Sequence, residues 1–186
     1  RLADILEEYM RDRQGNEEGY VLDIARDQEY EELHVSRLGE HTRAFIKVQD
    51  GCNQFCSYCI IPYARGRVRS RKPEDVVAEV EGLVARGYRE VVLTGIHLSS
   101  YGTEHMEGSP VKGGDWDSGP LWDLIERIHR VEGLKRIRLG SLEPRIITEE
   151  FAGKLAGLPE FCPHFHLSLQ SGCDATLKRM NRHYTT

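Results

Sequence analysis

The most informative stretch of the chain is Gly51-Cys52-Asn53-Gln54-Phe55-Cys56-Ser57-Tyr58-Cys59. Its three cysteines lie within eight residues, so their thiolates can bind one metal centre from a single loop. Tetrahedral zinc needs a fourth ligand, usually Cys or His, and the next ones along the chain are His97 and Cys162. Iron–sulfur clusters normally have four thiolate ligands. Three thiolates therefore favour a [4Fe–4S] cluster with one open iron, which is free to bind substrate or cofactor, and a structural zinc knuckle is the alternative.

The composition predicts a soluble globular chain. It has 186 residues, of which 39% are hydrophobic and 30% charged, and no apolar run approaches the roughly 20 residues that a membrane helix needs. Five cysteines, three of them clustered, argue against a disulfide framework and for a reducing compartment. We therefore expect a cytoplasmic protein with no membrane partner, and we interpret Cys162 and Cys173 as packing residues.

Strands and helices alternate after residue 41. Strands are predicted at 43–49, 90–94, 135–139 and 164–169, the last with alternate apolar residues facing outer helices. Helices are predicted to begin at Pro73, near Pro120, after the cap Thr148 and at Ser171. This order predicts a parallel α/β sheet, and periodicity alone also allows an open doubly wound sheet. The remaining segments are predicted as a helix at 1–13, an acidic linker at 15–42 with a short strand at 20–24, and a loop at 101–120.

Polar residues follow each predicted strand. The cysteines come after the first strand, Thr94 and Gly95 end the second, Glu143 follows the third, and Gln170 and Ser171 follow the fourth. Ligands of parallel α/β folds gather at the carboxyl ends of strands, so these residues are expected on one face. Simpler interpretations remain open, because Glu143 precedes Pro144 in a possible turn and Ser171 fits a helix cap.

A basic stretch follows the cysteines although the net charge of the chain is −5. Arginines at alternate positions would share one face of an extended segment. The stretch is either a solvated surface or a contact for RNA phosphates. Its members are Arg65, Arg67, Arg69 and Arg71.

Two longer runs resemble the methylthiotransferase branch of the radical S-adenosylmethionine (SAM) superfamily. The first is 47–67, with Tyr58 just before the last cysteine. The second is Leu169-Gln170-Ser171-Gly172-Cys173-Asp174, which continues to Met180-Asn181-Arg182. The resemblance implies a partial (β/α)6 TIM-like barrel, truncated after about four β/α units. Residues 41–186 would be an incomplete radical SAM core, and residues 1–40 the tail of an N-terminal methylthiotransferase domain and a linker.

The resemblance also implies roles for the strand-end residues. Cys52, Cys56 and Cys59 would ligate three irons, and the fourth iron would bind SAM. The reduced cluster would donate one electron to SAM. SAM would then be cleaved to methionine and a 5′-deoxyadenosyl radical, which abstracts hydrogen from a C–H bond. The expected SAM contacts are Tyr58, Thr94, Gly95, Glu143, Gln170 and Ser171.

The family adds methylthio groups to adenosines beside the tRNA anticodon or to a ribosomal-protein aspartate. The loop 94–102 and Ser141-Leu142-Glu143-Pro144 resemble the branch that acts on N6-threonylcarbamoyladenosine rather than on isopentenyladenosine. The family implies a tRNA anticodon stem-loop as partner and a flavodoxin-type electron donor. A second [4Fe–4S] cluster is expected only in a full-length protein, because no cysteine precedes Cys52. Rival hypotheses are another radical SAM reaction and a non-enzymatic iron–sulfur or zinc module that contacts RNA.

Overall fold

The computed structural model describes residues 2–11, 23–26, 29–31, 42–106 and 119–186. Helix α1 spans Leu2–Arg11, close to its predicted bounds. Most of the predicted linker 15–42 lies outside the described residues, as do residues 107–118 of the predicted loop 101–120. Of the strand predicted at 20–24, only 23 and 24 are described. They belong to a turn in which the Arg26 N–H donates to the Asp23 carbonyl oxygen.

The central sheet contains three parallel strands and one short antiparallel strand. Strand β1 spans Ala44–Asp50, β2 Arg69–Ser70, β3 Glu90–Gly95 and β4 Arg136–Leu139. Their order is β2-β1-β3-β4. Strands β1, β3 and β4 run parallel, as predicted, whereas β2 pairs antiparallel with the end of β1. The two-residue β2 was not predicted, because so short a strand has no periodicity.

The strand succession continues beyond Gly140. Strand β5 spans Ser141–Leu142 and pairs in parallel with β6, His166–Leu167. The Gly140 N–H donates to the Leu93 carbonyl oxygen at 2.8 Å. The residue between β4 and β5 is therefore still hydrogen-bonded to β3. Parallel strands therefore succeed one another in chain order, which is the arrangement expected of part of a (β/α) barrel.

The last strand is shorter than predicted. Only two of the residues 164–169 are paired, and Leu167 and Leu169 are exposed instead of packing under helices. Alternation of side chains between two faces requires a continuous strand, which this segment does not form. His166 is also exposed, and its Nδ1 lies 3.2 Å from the Ser141 hydroxyl across the short pairing.

Helices cover the parallel strands and bury one apolar core. Helix α2 spans Ile61–Ala64, α3 Pro73–Ala85, α4 Gly119–His129 and α5 Glu149–Ala156. The hydroxyl of Thr148 accepts the Phe151 N–H at 3.1 Å, which confirms the predicted cap of α5. Side chains from strands and helices meet in the core. Among its fully buried members are Ile46, Val48, Val80, Leu93, Leu124, Ile128, Ile137 and Phe151.

The last helix begins later than predicted. Helix α6 spans Asp174–Arg179, with Cys173 rather than Ser171 at its N-cap. The Ser171 hydroxyl instead accepts the Cys173 N–H at 3.2 Å, a local serine turn that competes with helix formation. Asp174 accepts the backbone N–H and the hydroxyl of Thr186. The prediction that Ser171 caps this helix was therefore wrong.

No helix in the described part of the chain is both long enough and apolar enough to cross a membrane.

Candidate functional site

The cysteine loop begins at the end of β1, where Gly51 and Cys52 contact the backbone of Gly66 and Arg67. Gly51 has φ +69°, and a Cβ there would lie 1.7 Å from the Arg67 carbonyl oxygen. The next residue, Cys52, donates its N–H to the Gly66 carbonyl oxygen at 3.1 Å. Glycine is needed at position 51 for both conformation and space. The loop is thus closed at its base by the chain that follows it.

Asp50 secures the same base electrostatically. Its carboxylate accepts the Gly51 N–H at 2.7 Å and hydrogen bonds from Arg65 and Lys47. Burial raises the pKa of Asp50, but the bonds from Arg65 and Lys47 outweigh burial, so its pKa is lowered. The carboxylate therefore stays charged and holds the loop entrance in place.

The three cysteines share the loop but differ in burial. Cys52 is buried, and burial is the main reason that its pKa is raised to about 11, with Cys56 and Cys59 adding to the shift. Cys56 is half-buried. Burial also raises its pKa, and the positive charge of Arg182 opposes that effect. The Cys59 N–H donates to the Cys56 carbonyl oxygen at 2.9 Å, so a tight turn joins these two.

These thiols suit a polynuclear cluster. Among the described residues, no three His, Cys, Asp or Glu side chains stand close enough to hold a single metal ion. Cysteine thiolates are the usual protein ligands of iron–sulfur clusters, so the chemistry of these donors fits such a cluster. Thiol protons leave when a metal binds, and iron would supply the positive charge that a buried Cys52 thiolate needs.

The ends of β1 and β3 are joined by the amide of Gln49, which is fully buried. Its Nε2 donates to the carbonyl oxygens of Asp50 and Gly51, at 2.6 and 2.8 Å. Its Oε1 accepts the His97 N–H at 2.8 Å. A Cβ on Gly95 would lie 2.8 Å from this Oε1. The close approach of the Gln49 amide therefore explains why glycine occupies position 95. Thr94 also bonds to β1, through the Ile46 carbonyl oxygen at 3.3 Å.

Glu143 lies at the centre of a buried polar group and is 3% exposed. One carboxylate oxygen, Oε2, is 3.3 Å from His97 Nε2 and 3.2 Å from Arg145 Nη2. The backbone N–H of Glu143 donates to the Ser99 hydroxyl at 3.0 Å. Burial raises the pKa of Glu143, but His97 and Arg145 outweigh it, so the pKa is lowered.

Arg145 connects Glu143 with the cysteine loop, and Glu143 keeps one oxygen for a ligand. Arg145 Nη2 also lies 3.4 Å from Gln54 Oε1, and Gln54 stands between the first two cysteines. The second carboxylate oxygen of Glu143 is buried without a hydrogen-bond partner among the described residues. A buried unpaired acceptor is costly, so this oxygen fits a ligand that brings a donor, such as the amino or hydroxyl groups of SAM.

The other predicted SAM contacts lie nearer the surface. Tyr58 is 54% exposed on the cysteine loop. Gln170 is exposed after β6 and has φ +65°, and the partly buried Ser171 forms the serine turn with Cys173. Thr94 and Gly95 thus contact β1, which leads into the cysteine loop, and Glu143 reaches the loop through Arg145 and Gln54. Gln170 and Ser171 are related to these residues by their strand-end position.

The four arginines of the basic stretch occupy different environments. Arg69 and Arg71 are buried, beside Asp50 and Glu79 respectively. Arg65 is half exposed and bonded to Asp50. Arg67 is partly exposed, with its guanidinium carbon 4.6 Å from the centre of the Phe55 ring. The stretch is therefore not one solvated stripe, because Arg69 and Arg71 carry structural ion pairs.

A cavity of about 480 Å³ lies between β1 and the residues Ile24, Glu29, Tyr30 and Glu31. Its charged lining includes Lys47, Asp50, Arg65 and Glu79, and none of the three cysteines lines it. The Tyr30 hydroxyl donates to the Lys47 carbonyl oxygen at 2.8 Å on the same side. The cavity thus lies on the side of β1 that Tyr30 contacts, and the three cysteines do not line it.

Comparison with known families shows where the chain belongs. The model of the radical SAM superfamily matches residues 46–186. The chain belongs to the radical SAM superfamily. The cysteine loop, the β3 end and the Glu143 group all lie within the matched range.

Curated relatives of this radical SAM chain are tRNA-modifying enzymes. It is 42% identical, over all of its length, to the threonylcarbamoyladenosine tRNA methylthiotransferase MtaB of Bacillus subtilis. It is 39% identical, over 89% of its length, to the tRNA-2-methylthio-N6-dimethylallyladenosine synthase of Caldicellulosiruptor saccharolyticus. The matches span only 38% and 33% of those two relatives.

A solved structure supports the radical SAM fold. The methyltransferase TsrM from Kitasatospora setae, solved with cobalamin and a [4Fe–4S] cluster, superposes with a TM-score of 0.56 at 24% identity. The superposition covers 76% of this chain and 26% of that one. At this identity the likeness concerns the fold alone.

Several residues of the site carried no role in the sequence-based prediction. Gln49 gave only a weak signal, because it is one of three polar residues, with Lys47 and Asp50, in the strand before the cysteines. Gln54 and Arg145 gave no local signal, because their meeting depends on the fold. Asn181 and Arg182 were part of a family resemblance, yet nothing in the sequence placed them beside the cysteines 120 residues earlier.

Proposed function

We propose that this chain is the catalytic core of a tRNA methylthiotransferase. In this proposal Cys52, Cys56 and Cys59 hold a [4Fe–4S] cluster, and SAM binds at the iron that has no protein ligand. The proposal rests on the loop of three cysteines at the carboxyl end of β1, together with similarity over the whole of this chain to part of a tRNA methylthiotransferase. When bound, the reduced cluster supplies the electron that cleaves SAM, and the protein supplies orientation and exclusion of water.

The residues around the loop divide the binding of SAM among them. The unpaired Oε1 of Glu143 accepts a hydrogen bond from the ribose or the methionine part, while His97 and Arg145 hold the other oxygen. Tyr58, half exposed beside Cys59, packs against the adenine. Thr94 and Gly95 present backbone groups at the end of β3, and Gln170 and Ser171 do so after β6.

The RNA partner is a tRNA anticodon stem-loop that approaches the open side of the cysteine loop. Arg65 and Arg67 retain exposed surface and are the members of the basic stretch best able to reach phosphates. Phosphate contacts of this kind position an RNA without specifying its sequence. Arg69 and Arg71 support that surface from below through their ion pairs with Asp50 and Glu79.

The specific substrate is proposed to be N6-threonylcarbamoyladenosine. The loop 94–102 and the turn at Glu143 carry the residues that favour this branch, and three MtaB relatives share 40–44% identity with the chain. Relatives that act on dimethylallyladenosine share 38–43%, so that base is the alternative. A second cluster, a flavodoxin-type electron donor and a cytoplasmic location belong to the proposal for the full-length protein. A domain boundary near residue 41 belongs to it as well.

The proposal is tested by anaerobic reconstitution of the full-length protein with iron and sulfide. We expect a reduced [4Fe–4S] EPR signal that changes on addition of SAM. Because a full-length protein is expected to carry a second cluster, the Cys56→Ala variant should lose the SAM-responsive signal specifically. The matched control Cys162→Ala should keep it. Stoichiometric zinc in place of iron would contradict the proposal.

The substrate branch needs a separate product assay. Transfer RNA carrying either threonylcarbamoyladenosine or isopentenyladenosine is incubated with the reduced enzyme and SAM, and nucleosides are analysed by mass spectrometry. A methylthio product only from the threonylcarbamoyl substrate is expected. Product only from the isopentenyl substrate would show that isopentenyladenosine, also called dimethylallyladenosine, is the substrate. Product from neither tRNA would contradict tRNA methylthiolation.

A further inference from the structure

The cysteine loop is bonded to the segment that follows α6. The Ser57 N–H donates to the Met180 carbonyl oxygen at 3.2 Å, and the Ser57 hydroxyl donates to the Arg179 carbonyl oxygen at 3.0 Å. The Asn181 amide donates to the carbonyl oxygens of Gln54 and Phe55, at 3.3 and 2.9 Å. Four hydrogen bonds therefore cross between segments that are more than 120 residues apart in sequence.

The two partners of this contact both have unusual backbones. Phe55 has φ +49° and Asn181 has φ +56°, and non-glycine residues in this region are uncommon. Asparagine tolerates the left-handed conformation better than most residues do. The Phe55 backbone faces the Asn181 amide directly. The bond from Asn181 thus offsets the strain of a loop residue that lies one position before Cys56.

The segment is itself anchored to the fold. Leu177 of α6 is buried in the described structure, and its carbonyl oxygen accepts the Arg182 N–H at 2.9 Å. This bond closes the C-terminal end of the helix around Asn181. The anchored helix end therefore holds the Asn181 side chain in position to reach the loop.

We infer that residues 179–182 form a clamp that sets the shape of the cysteine loop, with Asn181 as its positioning residue. The inference rests on the proposed function, because the clamp serves the cluster that the three cysteines are proposed to bind. Its bonds fall on Gln54, Phe55 and Ser57, which are the residues between and beside the cysteines. Loss of the clamp frees Cys56 and Cys59 to move relative to Cys52.

The test compares full-length wild-type protein with Asn181→Asp and Asn181→Gly. Asn181→Asp keeps the size of the side chain but places an oxygen against the carbonyl oxygens of Gln54 and Phe55. Asn181→Gly allows the positive φ but has no side-chain donor for these two oxygens. The matched control is Lys178→Gln, an exposed change on the same helix. Hydrogen–deuterium exchange of the peptide 52–59 is measured in the metal-free protein, so this readout does not depend on the cluster.

Both Asn181 variants should exchange the peptide 52–59 about tenfold faster, the factor expected for loss of one to two net hydrogen bonds. Their melting temperature should stay near that of wild type. After reconstitution, they should lose iron to a chelator about tenfold faster as well. The EPR signal of the remaining reduced cluster should also broaden, because the loop holds it in several arrangements. Lys178→Gln should match wild type in every measurement.

The outcomes separate the clamp from the proposed function. Wild-type exchange at 52–59 in both Asn181 variants would overturn the clamp, whatever the metal content. If Asn181→Asp does not fold, the Asn181→Gly variant alone decides the matter. A wild-type protein that takes up no iron would contradict the proposed function, and the exchange measurement would still decide whether the clamp exists.

Discussion

The side-chain oxygen of Gln49 accepts the backbone N–H of His97 at 2.8 Å. This bond fixes the end of β3 against the end of β1, and the same amide donates to two carbonyl oxygens at the entrance of the cysteine loop. Gln49 therefore joins the loop of three thiols to the residue that approaches Glu143. Two parts of the candidate site are held together by one buried amide.

Removal of this amide should weaken the fold and the site together. Gln49→Leu leaves up to three backbone groups without partners, and each unsatisfied buried group costs about 1–3 kcal/mol. We expect the free energy of unfolding to fall by about 3 kcal/mol or more in urea denaturation. Gln49→Glu retains the acceptor for His97 and loses both donations, so it should also destabilise. Wild-type stability in both variants would contradict this role.

Gly51 should tolerate no side chain. In Gly51→Ala the new Cβ would meet the Arg67 carbonyl oxygen at 1.7 Å, and the positive φ would be strained as well. We expect a loss of about 4 kcal/mol or more in the free energy of unfolding. The control is Gly153→Ala in α5, where a Cβ meets no atom within 4 Å. That substitution should stabilise the helix by roughly 0.5–1 kcal/mol.

Glu143 should make stability depend on pH in the acid range. Its lowered pKa means that its contribution is complete above the ordinary carboxyl value of about 4.3 and is lost as the pH falls through the lowered value. The stability difference between wild type and Glu143→Gln should therefore shrink when urea denaturation is repeated below about pH 4. An exposed control, Glu132→Gln, should change stability by less than about 0.5 kcal/mol. A difference that grows toward acid pH would contradict the assignment.

Arg182 should raise the reduction potential of the proposed cluster. Its positive charge acts on Cys56, and a reduced cluster carries one more negative charge than an oxidised one. Arg182→Gln should lower the midpoint potential by on the order of tens of millivolts, since nearby charge tunes such clusters. The measurement is an EPR-monitored redox titration, with Lys178→Gln as the matched loss of an exposed charge. A potential that rises or does not change in Arg182→Gln would contradict the effect.

Arg71 and Arg67 should differ in what they support. Arg71→Ala leaves the buried Glu79 without its cation, and breaking a buried pair costs about 3–5 kcal/mol. Arg67→Ala removes a cation from the face of Phe55 and should cost only about 0.5–1 kcal/mol.

In the full-length protein, Arg67→Glu should weaken tRNA binding in a filter-binding assay without lowering the melting temperature. Unchanged binding would remove Arg67 from the RNA surface.

The elements of the fold were predictable where local patterns are long. Helices α3, α4 and α5 have apolar stripes, α3 begins with a proline, and α5 has the recognisable cap Thr148. The strands β1, β3 and β4 alternate with these helices along the chain. Strand β6 was overestimated, because its alternating residues pair over only two positions. The start of α6 was misplaced, since Ser171 forms its hydrogen bond within a turn before the helix.

The sequence pointed to candidate site residues more readily than to the residues that support them. Cysteine spacing and strand ends pointed to Cys52, Cys56, Cys59 and Glu143. The charge pattern around Arg69 and Arg71 was interpreted as a surface, because the sequence does not show that Asp50 and Glu79 approach them. Contacts such as Asn181 with Phe55 depend on tertiary structure, so no local rule reveals them.

The bonds between Ser57 and the end of α6 also set an order of events during synthesis. The loop with all three thiols leaves the ribosome long before residues 179–182, so during that interval it lacks the partners that define its shape. Under the proposed function, the loop therefore gains the shape in which it would hold the cluster only after α6 has formed. Completion of the loop thus depends on a segment that is synthesised more than 120 residues later.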